Sequence, residues 1–249
     1  MDKELLLKVQ DRLYEMGVTI AQILEKNNID YMLSFGTLLG AVRHGDFVPW
    51  DDDFDLWIFD DNYAKAIQVL RKELPSNMFL EDEESEPKYF HAWAHVKDIK
   101  TIVENILFIQ DTEYKHKGLS IDLYRIKKMN SSELEKYIYE EKIKYFNRRV
   151  SIGNMSKKEY KAKIAQAKEA FEEEKYNLEK KEVYGYISPY KNKYLLKEEV
   201  LPLNQIQFRK HNFACPNNSD AVLKRIYGNY LELPPLEKRI QHYSSVTFL

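Results

Sequence analysis

A single cysteine, Cys215, among 249 residues rules out an internal disulfide, and a reducing compartment is the expected setting. Charge of one sign is missing as well: 38 basic side chains face 40 acidic ones, a net charge of −2. Electrostatic binding to nucleic acid needs a basic excess or stripe, so no nucleic-acid partner is expected. No run approaches about eighteen uncharged apolar residues, which leaves no candidate for a transmembrane segment. Met1-Asp2-Lys3-Glu4 leads straight into an amphipathic pattern and lacks the basic-then-apolar order of a secretory signal. The expectation is a cytoplasmic protein, with room for peripheral contact at the inner face of the membrane. Repeats and low-complexity tracts are absent too. What is present is a 44% apolar content, enough for a sizeable core, beside 31% charged residues.

Leu6, Val9, Leu13, Met16, Ile20 and Leu24 recur at helical steps and predict a helix over 2–27. Strands are expected at 30–35 and 54–59, with a short helix from Gly36-Thr37 to Arg43 between them, and Asp60-Asp61 capping a helix after the second. The acidic run 79–86 reads as a loop, and 89–97 as a strand with His91, Trp93 and His95 on one side. Strands follow at 101–103, 107–109 and 118–124. Ser131 or Ser132 with Glu135 has the form of a capping box and opens a helix to about Arg149. Ser156 with Glu159 opens a second, running to about Lys180. That pair is a charged helical hairpin, whose charge reads as solubility and i,i+4 pairing. A β-hairpin around Arg209-Lys210-His211 and a helix over 220–227 complete the chain. The resulting class is α/β (α+β), a mixed β-sheet flanked by helices. The expected divisions are a core at 1–130, the insertion at 131–182 and a C-terminal part at 183–249 packing on the core.

The informative stretch is Pro49-Trp50-Asp51-Asp52-Asp53-Phe54-Asp55. Alternate residues of a strand share a face, so Asp53 and Asp55 point together, their Cα atoms roughly 6.6 Å apart. Asp51 joins them if the extended geometry begins that early. Phe54, Leu56 and Ile58 point the other way, into a core. Crowded carboxylates are unfavourable unless a cation or hydrogen bonds neutralise them, and Mg²⁺ takes a few such oxygens while keeping positions for phosphate and water. A phosphoryl-transfer site is one reading; a solvated acidic loop or a structural Ca²⁺ loop is the other. Gly36 at a strand-to-helix junction lets backbone N–H groups approach an anion, and Thr37 adds a hydroxyl. A plain helix cap explains the pair equally. Arg43 and His44, just after that helix, either reach a diphosphate or are a surface arginine and a loop histidine. Trp50, Trp57 and Trp93 either box a quaternary ammonium or pack in the core. His91 and His95 read as core or cleft-wall residues, and Cys215 as inert.

The run from Ser34 through Gly36-Thr37-Leu38-Leu39-Gly40-Ala41-Val42-Arg43-His44-Gly45, followed by Phe47 to Asp55, resembles the signature of the LicD family. Weaker resemblances lie at Lys97 to Thr101 and at Ile226 to Tyr230 with Pro234. The family has a nucleotidyltransferase-like fold, with a Gly-Ser or Gly-Thr helix start, an Asp-x-Asp strand and a third carboxylate on a later strand. The resemblance therefore implies Asp53 and Asp55 for Asp-x-Asp, and Asp122, in Gly118-Leu119-Ser120-Ile121-Asp122-Leu123, for the third. It implies Mg²⁺, with Mn²⁺ as a substitute, held by those three, and Gly36, Thr37, Arg43 and His44 around the donor. The implied reaction moves phosphocholine from CDP-choline to a sugar hydroxyl of a glycan or teichoic acid precursor, free or lipid-linked, releasing CMP. Asp51, Asp52 or an oxygen of Asp122 is available as the base. The alternatives are transfer of glycerol or ribitol phosphate from another CDP-linked donor, as in the fukutin-like branch, or a non-catalytic binding protein that keeps the fold.

Overall fold

The computed structural model describes residues 1–105, 114–173, 180–186 and 194–249. Helix α1 (Lys3–Lys26) starts at Asp2, whose side chain accepts the Leu5 N–H, and its apolar stripe is buried throughout. Strand β1 (Tyr31–Leu33) follows, then α2 (Phe35–His44), which ends where Gly45 takes a left-handed φ of 63°. Glycine alone adopts that conformation without side-chain strain. Strand β2 (Asp55–Phe59) leads into α3 (Asp60–Glu73). Asp60 and Asp61 lie inside the first turn of α3, where they favour the helix dipole, and Phe59 occupies the cap position.

Next come β3 (Met78–Glu81), β4 (Ala94–Asp98), β5 (Thr101–Asn105) and the long β6 (Ser120–Asn130). Two expectations change here. The acidic run begins as a strand, because Met78 and Leu80 bury their side chains. The strand expected from Tyr89 starts only at Ala94, because the Tyr89 hydroxyl turns back to donate to the Trp93 carbonyl at 2.5 Å. Helices α4 (Leu134–Ser151) and α5 (Lys157–Glu173) form the charged hairpin. The capping box ahead of it is made by Asn130 and Glu133, one or two residues earlier than read from sequence. The strand expected at 107–109 and the end of the second helix lie outside the described residues.

After the hairpin come β7 (Glu182–Tyr186), β8 (Tyr194–Leu196), α6 (Lys197–Val200), the hairpin β9 (Asn204–Phe208) and β10 (His211–Cys215), α7 (Ser219–Tyr227) and β11 (Tyr243–Phe248). The main sheet is mixed, in the order β1-β2-β6-β4-β3, with β7 added beside β6 and β8 beside β7. Only β2 and β6 run parallel within it. One core runs from α1 through this sheet into the C-terminal part, where Phe208 and Phe213 each stand 5.7 Å from Phe54. Arg12 on α1 fixes the helix to the sheet through both oxygens of the buried Asp98, each at 2.9 Å. Among the described residues no helix is long and apolar enough to cross a membrane.

Candidate active site

The acidic segment is held from both sides by backbone bonds. Ser34 N–H donates to the Asp55 carbonyl at 3.1 Å, and Asp122 N–H to the Phe54 carbonyl at 3.1 Å. Phe54, Leu56 and Ile58 are fully buried, so alternation turns Asp53 and Asp55 toward the opposite face. Register places Asp122 of β6 directly beside Asp55 of β2. Asp51, Asp53, Asp55 and Asp122 line a cleft of about 490 Å³.

Helix α2 starts at this cleft. Phe35 takes a φ of 41°, uncommon for an aromatic residue, and is pinned by Trp57, Tyr124 and Tyr186 at ring distances of 4.8, 5.0 and 5.5 Å. The next residue is Gly36, and a Cβ there would lie 2.6 Å from Asp51 Oδ2. The Asp51 carboxylate therefore occupies the space a side chain would fill at the positive end of the helix. That placement is worth about 0.3–1 kcal/mol to an anion. It does not win: burial first, then the charge of Asp53, pushes Asp51 well above the usual carboxylate range. Burial, then Asp53, Asp122 and Asp51, does the same to Asp55. Gly36→Ala is expected to displace Asp51 and, by the cost of an ångström-scale misplacement, to lower turnover about 100-fold. The comparison is kcat against wild type, with the melting temperature as the check on folding.

Asp122 is the best-oriented acid. Its Oδ2 accepts from Trp93 Nε1 at 2.9 Å and from the Tyr124 hydroxyl at 3.1 Å, while its Oδ1 lies 3.3 Å from His95 Nε2. Asp53 differs: its Oδ1 is buried and has no hydrogen-bond partner among the described residues. An orphaned carboxylate oxygen amid three further acids fits a hard cation, which takes oxygen ligands. Arg43 also faces the cleft; Nη1 donates to the Tyr230 carbonyl at 2.6 Å, and Nη2 is buried without a partner among the described residues. His44 is exposed, outside the cleft lining, and accepts the Arg43 Nε–H at 2.9 Å. Thr37 is 1% exposed; its hydroxyl oxygen accepts the Asp55 N–H at 2.8 Å and ties α2 to β2.

This constellation falls within, or beside, residues 28–150, which match the model of the LicD/FKTN/FKRP nucleotidyltransferase domain. The chain belongs to the LicD family. It is similar to the lipopolysaccharide cholinephosphotransferase LicD of Haemophilus influenzae, with 23% identity over 248 residues, covering 90% of this chain and 91% of that protein. It is similar over 64 residues to the human ribitol 5-phosphate transferase FKRP, at 39% identity, covering 26% of this chain and 13% of that one. A match to mannosyltransferase regulator 4 of Saccharomyces cerevisiae is 35% identical over 82 residues, 32% of this chain and 7% of the other.

In this LicD-family chain Asp52 points away from its acidic neighbours. It is fully buried, and its oxygens accept the His242 N–H at 2.8 and 3.0 Å and the Tyr243 N–H at 3.0 Å, with His242 Nδ1 at 2.8 Å. Asp52 thus clamps the start of β11, and the segment between α7 and β11 passes along the cleft, with Asn229, Tyr230, Glu232 and Pro234 in its wall. His242 Nε2 lies 3.4 Å from Asp53 Oδ2. The charge of Asp53, partly opposed by burial and helped by the bond to Asp52, pushes the His242 pKa up to about 10. One atom each of Asp51, Asp52 and His242 lie within 4.8 Å of one another, close enough for a metal. In that group Asp52 is already engaged by backbone N–H groups. Asp53, Asp55 and Asp122 line the cleft, but among the described residues their oxygens do not gather as closely as those of the Asp51, Asp52 and His242 group.

Sequence reasoning missed His242 as a site residue because it is 190 positions from Asp52 and stands in no local pattern. The three tryptophans do not form a box. Trp57 is fully buried against Phe35 and Tyr186, Trp93 packs between Tyr124 and His91 at 4.7 and 5.0 Å, and the Arg239 guanidinium covers Trp50 at 4.7 Å. His91 and His95 form part of the cleft wall, their ring centroids 4.6 Å apart. Cys215 is buried, which pushes its thiol pKa up and disfavours the nucleophilic thiolate.

Proposed function

We propose that this LicD-like phosphotransferase moves a phosphoester group from a CDP-linked donor to a sugar hydroxyl of a surface glycan or teichoic acid precursor and releases CMP. CDP-choline is the favoured donor. The observation that carries the reading is the convergence of Asp53, Asp55 and Asp122 on a cleft that Arg43 also lines. Asp53, Asp55 and Asp122 would hold Mg²⁺, or Mn²⁺ in its place, which when bound offsets negative charge on the diphosphate. Arg43 lines the same cleft, and its buried Nη2, without a partner among the described residues, is suited to a phosphate oxygen. Thr37 and Gly36 serve the site indirectly, the first by fixing Asp55 and the second by leaving room for Asp51.

The sugar hydroxyl attacks the distal phosphorus and the bond to the CMP oxygen breaks, so the leaving CMP carries the electron pair. The hydroxyl proton needs an acceptor. Asp52 is withdrawn from that role by the donors on both its oxygens. Asp122 faces Trp93 and Tyr124 at one oxygen and His95 at the other, which leaves Asp51 as the better acceptor. Transfer of ribitol or glycerol phosphate is the second reading, favoured by the identity with FKRP over 64 residues. CMP release from CDP-choline, CDP-glycerol and CDP-ribitol, each with Mg²⁺ and with cell-envelope glycan as acceptor, separates the two. The expected result is fastest release from CDP-choline. Faster release from CDP-ribitol or CDP-glycerol selects the second reading, and release from none of them favours a binding protein.

A further inference from the structure

Four residues from four adjacent strands stand in one transverse row: Glu81 pairs with His95, His95 with Asp122, and Asp122 with Asp55. Directly opposed residues present their side chains on the same face of a sheet. The row therefore leads from the interior into the acid cluster. Glu81 is 1% exposed and His95 3%, whereas the Asp122 side chain is 23% exposed at the cleft. His95 Nδ1 is 3.5 Å from Glu81 Oε2, and its Nε2 is 3.3 Å from Asp122 Oδ1. Lys97, two residues along β4, brings its Nζ to 3.9 Å from the same Glu81 oxygen.

Burying such polar groups is costly, and apolar residues of similar volume often serve stability as well or better. A row placed only for packing would not require polar atoms at each position. The geometry of Asp122 supplies a use for them. Trp93 and Tyr124 both engage Oδ2, whereas among the described residues His95 Nε2 is the group that faces Oδ1, at 3.3 Å. The imidazole itself packs against the tilted ring of His91 at 4.6 Å and the Tyr89 ring edge at 5.4 Å. We propose that His95, oriented by Glu81, is a positioning residue that fixes the Asp122 carboxylate in the attitude required of a metal ligand. Groups that orient ligands typically alter metal affinity about 10–100-fold when removed. The inference rests on the metal reading of the Asp53, Asp55 and Asp122 cluster.

The test is Mn²⁺ binding by the full chain, read from loss of the free-ion electron paramagnetic signal, for wild type, His95→Ala, His95→Asn, His95→Gln and Asp53→Ala. A glutamine amide reaches about as far as Nε2, whereas an asparagine amide reaches only as far as Nδ1. His95→Ala and His95→Asn are therefore expected to weaken Mn²⁺ binding about 10–100-fold, with His95→Gln restored to near wild type. The Mg²⁺ concentration for half-maximal CMP release should move in parallel, more than the rate at saturating metal. A packing role alone would lower melting temperatures without that order between asparagine and glutamine. Wild-type affinity in His95→Ala, alongside loss in Asp53→Ala, overturns this inference and spares the metal reading. No binding by wild type overturns both.

Discussion

Replacing Asp53 with alanine is expected to reduce metal-dependent CMP release by about 10³-fold or more, a loss comparable with removing a preorganised electrostatic group from an active site. The chain should nevertheless remain folded. Asp53 Oδ1 has no hydrogen-bond partner among the described residues, and the closest favourable contact shown for the side chain is the 3.4 Å approach of His242 Nε2 to Oδ2. Against that contact, and a hydrogen bond shared with the protonated Asp51, stands the charge that Asp53 imposes on Asp51 and Asp55. Removing it relieves that repulsion but also removes the charge that holds the proton on His242. The two effects oppose, so the melting temperature in EDTA should change little. Steady-state assays at saturating Mg²⁺, paired with thermal unfolding in EDTA, check both halves. Full activity in the variant would remove Asp53 from the machinery; an unfolded variant would show instead that the acid has a structural role.

Asp55→Asn should separate stability from activity further. In the folded chain Asp55 binds its proton well above the ordinary carboxylate pKa, burial being the main cause and Asp53, Asp122 and Asp51 the next. The unfolded chain gives up that proton near the ordinary value of 3.8. As pH rises above that point, the folded state holds more protons than the unfolded state, so this group lowers stability with rising pH. Asp51 acts in the same direction. His242 also does: its contribution is complete below 6.5, the ordinary value, and is lost as pH rises through about 10. Metal-free wild type should therefore melt at a lower temperature at pH 8 than at pH 6, with a flatter dependence in Asp55→Asn. Each kcal/mol of relieved repulsion raises the melting temperature by about 2–4 °C in a chain of this size. Mg²⁺ should stabilise the wild type more at pH 8 than at pH 6, because cation and protons compete for the same oxygens. The asparagine variant should lose most of that response and most of its turnover. A steeper pH dependence in Asp55→Asn would contradict the assignment of the strain to this acid.

Much of the site was legible because it is local. Gly36, Thr37, Asp53 and Asp55 lie within one strand–helix–strand unit, where alternation and a helix start carry direct spatial meaning. The α1 stripe and the β9–β10 hairpin were readable for the same reason, periodic burial and a short turn. Roles that depend on distant partners were not. Asp52 looks like one more member of the acidic run, yet its oxygens hold the backbone of His242 and Tyr243. Thr37 reads as a ligand-facing hydroxyl until the Asp55 N–H is seen to occupy its oxygen. Met78–Glu81 was obscured by the acids that follow it, although its pairing with β4 brings Glu81 opposite His95. The tryptophans left a cage and core packing equally open in the sequence; burial and Arg239 assign them separate surroundings.

The most direct measurement of the central claim is which phosphorus–oxygen bond of the donor breaks. Phosphorus magnetic resonance of CDP-choline, incubated with the protein, Mg²⁺ and a cell-envelope glycan fraction, distinguishes the two outcomes in one spectrum. Attack at the distal phosphorus yields CMP together with a new phosphodiester on the glycan, and this is the expected result. Free phosphocholine accompanied by a cytidylylated glycan would mean attack at the phosphorus nearer the nucleoside, and would contradict the proposed transfer.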